Sequence, residues 1–302
     1  MKPVSRLRKK KNKRKYNPMR QVVFLIRTVD RKGLLAAISG FFYSRDLNII
    51  ECRQYTDVLA NEYFTRILVD LPSDITRTAL EAEFSAFAAE YQLNYSIHYI
   101  GDIRNVAVLV SKTSHCFYDM LVNSEENTLG GGRVVLAISN HPDLEEVAAK
   151  FRVPYYCCPV EKGGERQQEQ QILELLAKHH VDLVVLARYM RILSDDFIAR
   201  YPSKIINIHH AFLPAFMGGD PYRRAWERGV KMIGATAHYA TKDLDEGPII
   251  EQDVEPITHE STPADLKQRG RDIERRVLTR AVRAHLEHRV IISGSRTIVF
   301  SK

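Results

Sequence analysis

The stretch Gln167–His210, QQEQQILELLAKHHVDLVVLARYMRILSDDFIARYPSKIINIHH, joins a helical pattern to two short apolar runs. Ile172, Leu175 and Leu176 share one face of a helix over 167–180. Asp182–Ala187 (DLVVLA) and Lys204–Ile208 (KIINI) are apolar runs of strand length. Working outward, Val106–Val110 and Val134–Ile138 are two more, with helical stretches between them. Strands that stay apolar throughout and alternate with helices predict an α/β fold, a doubly wound, mostly parallel sheet covered on both faces. Ligands in such sheets lie beyond the carboxyl ends of the strands. That rule gathers Ser111, Ser139–Pro142, Arg188–Leu193 and the residues from His209 onward around one crevice.

The turn after the first of these strands reads Val110-Ser111-Lys112-Thr113-Ser114-His115-Cys116. A dinucleotide or phosphate cradle needs glycines there so that backbone N–H groups can approach the phosphate. None is present, and Gly130-Gly131-Gly132 precedes a strand, where it reads as a flexible turn. The chemistry concentrates in IINIHHAFLPAFMGGDPY (205–222) and GATAHYATKDLDEGPIIEQ (234–252). Asn207 and His209 interrupt an apolar strand two residues apart, so they leave the same face of the pleat. Asp245 follows in a turn, after an apolar strand that carries His238. An amide, an imidazole and a carboxylate are what water needs to attack a carbonyl: donors for the oxyanion, and an acid to take a proton or hold the ring charged. No metal is expected, because His209 and His210 lack a third ligand at a recognisable spacing. No nucleophile elbow is present. Spacing alone leaves a structural polar cluster and a catalytic one equally open.

Upstream, Gln21–Thr28 holds the strand-like run VVFLI, and Leu34, Ile38, Phe41 and Phe42 recur at helical spacing. Asn48–Asp57 suits a second strand. Tyr63, Thr65, Ile67 and Val69 alternate as in a half-buried third strand. Leu80, Phe84, Phe87 and Tyr91 mark a second helix, and Leu93, Tyr95, Ile97 and Tyr99 alternate again. This is the β-α-β-β-α-β order of a ferredoxin-like unit. The segments D-R-K-G-L-L-A-A-I (30–38) and D-L-N-I-I (46–50) resemble an ACT domain. The resemblance implies amino-acid binding at the Asp30–Leu34 turn, with Asp30, Gly33, Leu34, Asn48 and Ile49 as effector contacts, and pairing of such domains into a homo-oligomer. A capped tight turn is the plainer reading of that segment.

The sequence thus divides into a tail (1–20), a first domain (21–99), a linker (100–105) and a second domain (106–302). The 302 residues hold 44 Lys and Arg against 37 Asp and Glu, and ten of the basic residues lie in the first twenty. The other 282 residues carry 34 basic and 37 acidic groups, so the net +7 belongs to the tail and is no mark of a nucleic-acid binder. Like-charge repulsion predicts a disordered, solvated tail. No stretch of about twenty apolar residues is present, so no membrane partner is expected. Cys52, Cys116, Cys157 and Cys158 show no disulfide spacing, which fits the cytoplasm.

N-I-H, L-P and, some thirty residues on, D-E-G-P-I-I resemble the folate-dependent formyltransferase fold, a Rossmann-like architecture. N-I-H-H-x-F-L-P-A-F and G-A-T-A-H-Y-x-T-x-x-L-D-E-G-P-I-I-E-Q, behind an ACT-like domain, are similar to the formyltetrahydrofolate deformylase family. The resemblance implies Asn207, His209 and Asp245 as catalytic residues. It implies a folate site at Met190, Arg191, Ile192, Leu193, His210, Ala240, Thr241 and Asp243. Ala211 stands where a serine is common, and Gly219-Asp220 precede Pro221 where other residues are usual. The implied reaction is hydrolysis of 10-formyltetrahydrofolate to formate and tetrahydrofolate, which supplies formate for purine biosynthesis, uses no cofactor and is regulated by glycine or methionine. In the expected mechanism Asn207 and protonated His209 hold the formyl oxygen while Asp245 orients or deprotonates water. The rivals are formyl transfer to an amine, a non-catalytic amino-acid sensor, and an RNA-associated protein using the tail.

Overall fold

The computed structural model describes residues 20–160, 163–214 and 221–302. Residues 1–19 of the tail and Gly219-Asp220 lie outside the described residues, and the last tail residue, Arg20, already belongs to the first strand. The first unit is β1 (Arg20–Val29), α1 (Leu34–Tyr43), β2 (Ile49–Asp57), β3 (Glu62–Leu71), α2 (Arg77–Glu90) and β4 (Asn94–Tyr99). Its antiparallel sheet has the order β2-β3-β1-β4, the ferredoxin-like arrangement. Val22, Phe24 and Ile26 of β1 point to the helices, where Phe24 packs on Phe42 and Phe84 at ring-centroid distances of 4.9 and 4.7 Å.

The second unit runs β5 (Arg104–Val110), α3 (His115–Glu125), β6 (Gly132–Ser139), α4 (Glu145–Lys150), β7 (Tyr155–Cys157), α5 (Glu165–Lys178), β8 (Leu183–Ala187), α6 (Asp195–Arg200), β9 (Ile205–His209), α7 (Pro221–Arg228), β10 (Met232–Tyr239), β11 (Ile249–Pro256) and α8 (Pro263–Leu286). The seven strands are ordered β11-β10-β9-β8-β5-β6-β7. The five from β7 to β9 are parallel, and β10 runs antiparallel to both its neighbours. Val106, Val108 and Val110 face α3 and α8, whereas Ala107 and Leu109 face α5 and α6. Burial on both faces is why these strands read as unbroken apolar runs. The chain leaves β5 for β6 and β7, then returns to β8 on the other side. The crevice therefore opens between the carboxyl ends of β5 and β8.

Two sequence expectations need correction. β3 is not half-buried: Phe64 is 1% and Arg66 7% exposed. The C-terminal hairpin, β12 (Val290–Ser293) and β13 (Arg296–Val299), covers that face. Ile291 and Phe300 pack on Val23, Leu25 and Phe64, while Val290 and Ile292 meet the core of the second sheet. Arg66 is satisfied there by Glu51 at 2.8 Å and by the His288 carbonyl at 2.9 Å. The glycine triplet, in turn, is a packed corner and not a loose turn. Gly130 and Gly131 take φ of 73° and 90°, and a Cβ on Gly132 would lie 2.4 Å from Leu286 Cδ1.

Candidate active site

β9 delivers Asn207 and His209 to one face at its carboxyl end. β10 pairs against it with His238 opposite Asn207 and Thr236 opposite His209. Thr236 Oγ1 holds the next loop by donating to the Ala211 carbonyl and accepting from the Leu213 amide. His238 Nδ1 lies 2.9 Å from the Tyr239 carbonyl, which can only accept, so Nδ1 carries the proton. With that tautomer Nε2 accepts from the Asn207 amide at 3.2 Å, which fixes that amide and leaves its second N–H free.

Asp245 closes the cluster. Its loop folds back over β10, and at Gly247 a Cβ would fall 1.7 Å from the Tyr239 carbonyl oxygen, so only glycine fits. Asp245 itself takes φ of 57°. Its carboxylate sits 3.2 Å from His209 Nδ1 and 3.6 Å from His238 Nε2. Hydrogen bonding to His209 holds the carboxyl well below the usual carboxylate range. His209 Nε2 is buried without a hydrogen-bond partner, on the wall of a cleft of about 560 Å³. Burial, reinforced by Arg188, lowers His210 to about 4, so it lines the cleft as a neutral ring.

The other expected folate contacts scatter around this cleft. Met190 and Ile192 are 62% and 74% exposed at its rim, and Leu193 is buried against α6. Ser111 Oγ, anchored on Asn140, accepts from the Met190 amide and so ties this loop to β5. Arg191 lines the cleft and lies 3.5 Å from Glu165. Ala240 and Thr241 line the cleft, whereas Asp243 does not and instead accepts from Thr241 Oγ1 through its carbonyl.

Sequence reasoning missed the opposite wall. Glu274 of α8 is 1% exposed, 2.8 Å from His115 Nε2, 2.5 Å from the Tyr222 hydroxyl and 3.5 Å from Arg188 Nε. Burial alone would raise its pKa, but His115, Arg188 and Tyr222 together bring it below the usual range. Arg188 has φ of 64°, and its buried Nε and Nη1 find no hydrogen-bond partner. Cys116 completes a group of three metal-donor types with His115 and Glu274, but burial pushes its thiol well up and keeps it protonated. No signal in α8 separates Glu274 from its many charged neighbours except burial.

The expected effector contacts do not meet within one chain. Asp30, Gly33 and Leu34 sit where β1 runs into α1, with Gly33 at φ of 88°. Asn48 and Ile49 open β2, where the Asn48 carbonyl accepts from Asp70, level with Gln21. Gln21 to Asp30 is nine residues of strand, about 30 Å at 3.3 Å per residue.

Residues 104–282 match the formyl transferase family model. A formyltetrahydrofolate deformylase from Synechocystis is 45% identical over 92% of this chain and 97% of its own length. The chain belongs to the formyltetrahydrofolate deformylase family. The deformylase from Bacillus subtilis is 43% identical over 92% of this chain and 93% of its own. The crystal structure of a family member from Pseudomonas syringae pv. tomato superposes with a TM-score of 0.90 at 36% identity, covering 95% of this chain and 96% of that one. A glycinamide ribonucleotide transformylase from Symbiobacterium toebii matches 68% of this chain and 97% of its own, with a TM-score of 0.63 and 32% identity. The deformylase family thus carries the first sheet in addition to the shared transferase fold.

Proposed function

We propose that the protein hydrolyses 10-formyltetrahydrofolate to formate and tetrahydrofolate, as the name of its relatives says of them. The observation that carries the reading is the unpartnered Nε2 of His209, a residue that lines the cleft, while Nδ1 is held by an ionised Asp245. Asp245 is too weak a base to move the proton and serves to hold the ring. His209 therefore takes a proton from water through Nε2 as the oxygen attacks the formyl carbon. The free N–H of Asn207 donates to the oxyanion. Collapse breaks the bond to the folate nitrogen, and that nitrogen takes the proton back from His209. No metal or cofactor enters these steps.

Met190 and Ile192 offer apolar surface to a flat ring. Lys242, Lys267 and Arg271 on the cleft suit the carboxylates of a folate tail. Hydrolysis is favoured over transfer because the turn after β5 lacks glycines and its His115 is bound to the buried Glu274, whose charge repels a phosphate-bearing acceptor. Formate release from 10-formyltetrahydrofolate at the same rate with and without glycinamide ribonucleotide is the expected result. Amine-dependent turnover would establish transfer instead.

The formate would serve purine biosynthesis in the cytoplasm, a setting supported by four cysteines without disulfides. No helix among the described residues is long and apolar enough to cross a membrane. An amino-acid effector touching both ends of the first sheet needs a second copy of the chain, which supports a homo-oligomer. Light scattering with and without glycine or methionine tests both statements, and a monomer indifferent to either refutes them.

A further inference from the structure

A second cavity, of about 670 Å³, opens between the two sheets. It lies at the amino ends of β8 and β9, lined by Leu183 and Lys204, whereas the candidate active site lies at the carboxyl ends. Lys204 and His209 are separated by the length of β9, about 16 Å at 3.3 Å per residue. We propose that this cavity is a binding site for a small organic or inorganic dianion, and that its occupancy is felt at Asn207.

The lining has the chemistry for such a ligand. Its formal charges are Arg27, Arg104 and Lys204 against Asp182 alone. Arg27 is matched by Glu62 at 2.5 Å, outside the lining, but Arg104 reaches Asp182 only at 3.7 Å. Lys204 is exposed and has no ion pair among the described residues. His98 of β4 and His288 after α8 stack across the junction, 3.8 Å between centroids and 5° from parallel, with His285 beside them on the same wall. Burial keeps all three neutral, His98 and His285 down to about 4 and His288 to about 2, and the positive charge of Arg104 lowers each further. The wall is thus short of negative charge, and a dianion would supply it while accepting from imidazole, guanidinium and ammonium donors. Leu286 and Ile292 add apolar surface for a short carbon chain.

The route to the candidate active site is short. Tyr239 bonds His285 Nδ1 through its hydroxyl at 2.8 Å and His238 Nδ1 through its carbonyl at 2.9 Å. His238 holds the Asn207 amide. The same carbonyl is the surface on which Gly247 and the Asp245 loop rest. A ligand that draws His285 toward itself alters the seat of Tyr239 and, with it, both the amide and the acid.

Calorimetry on the full chain, without folate, tests the binding. Succinate, inorganic phosphate and, as a monoanion, butyrate are titrated in turn. Saturable binding of succinate identifies a dicarboxylate site and of phosphate a phosphoryl site, each weakened about ten-fold or more by Arg104→Gln or by the exposed Lys204→Gln, as expected for a lost charge-assisted contact. Lys267→Gln, on the other cleft, leaves the affinity unchanged. Butyrate binding as tightly, no binding of either dianion, or indifference to both cavity variants overturns the site. The coupling rests on the hydrolase reading and is measured separately. The bound dianion is expected to change kcat or KM for formate release about five-fold or more, the usual scale of coupling between sites. Tyr239→Phe should still bind the dianion and lose that response. Lys204→Gln should keep the rate seen without dianion. A dianion that binds and leaves the rate untouched overturns the coupling and leaves the site standing.

Discussion

Asn207 donates on two sides, to His238 at 3.2 Å and into the cleft. Replacing it removes one oxyanion donor and frees His238 to turn. Asn207→Ala is expected to lower kcat for formate release 10²–10³-fold, about 3–4 kcal/mol, with little change in folate affinity measured by calorimetry. Full activity in this variant would end the carbonyl-attack reading. Asp245 permits a second measurement. A carboxylate whose pKa is depressed in the folded state stabilises it above its unfolded pKa, and that contribution fades as pH falls. The urea midpoint of Asp245→Asn should therefore fall below wild type at pH 6 and by a smaller margin at pH 3; a constant gap would refute the linkage. Polar residues at an apolar strand's end, or in the turn beside it, singled out Asn207, His209 and Asp245, but only the family resemblance chose a catalytic cluster over a structural one. His238 was visible only as one more residue of β10, since its role comes from cross-strand register with Asn207. Arg188 was placed at the crevice, but Glu274 could not be found, because their partnership joins the end of β8 to α8.

Among elements, the C-terminal hairpin contributes what neither sheet supplies alone. Phe300 is buried against β1 and β3, so Phe300→Ala should destabilise the chain by about 3 kcal/mol in urea unfolding, within the range for buried aromatics. A change under about 0.5 kcal/mol would mean the hairpin does not cover the sheet in solution. Gly132→Ala forces a methyl against Leu286, at an expected cost of about 1–3 kcal/mol. The strands of both sheets were readable from period and length. The two-sided burial of β3 was not, because its cover arrives from more than two hundred residues away and short-range alternation carries no word of it.

For the whole molecule, the junction between the sheets titrates. Unfolded, His98, His285 and His288 protonate near the ordinary 6.5; folded, they do so only near 4, 4 and 2. The unfolded chain thus binds more protons between those values, and stability is lost as pH falls from about 6.5 toward 4. Urea midpoints at pH 7 and pH 5 should differ, and the His98→Gln and His288→Gln double variant should narrow the difference; an equal difference in the variant would assign the pH dependence elsewhere. The glycine-poor turn after β5 is a local feature and was readable in sequence. Nothing local announced the cavity at the other end of the sheet, since its walls come from β1, β4, β8 and α8 together.

The hairpin also sets an order of events during synthesis. The first sheet leaves the ribosome early, yet the residues that roof its outer face, 290–300, emerge after α8. Val23, Leu25 and Phe64 stay wet throughout that interval, a sticky surface of the sort chaperones hold. A transcript broken after α8 would therefore yield two formed sheets and a product prone to clumping.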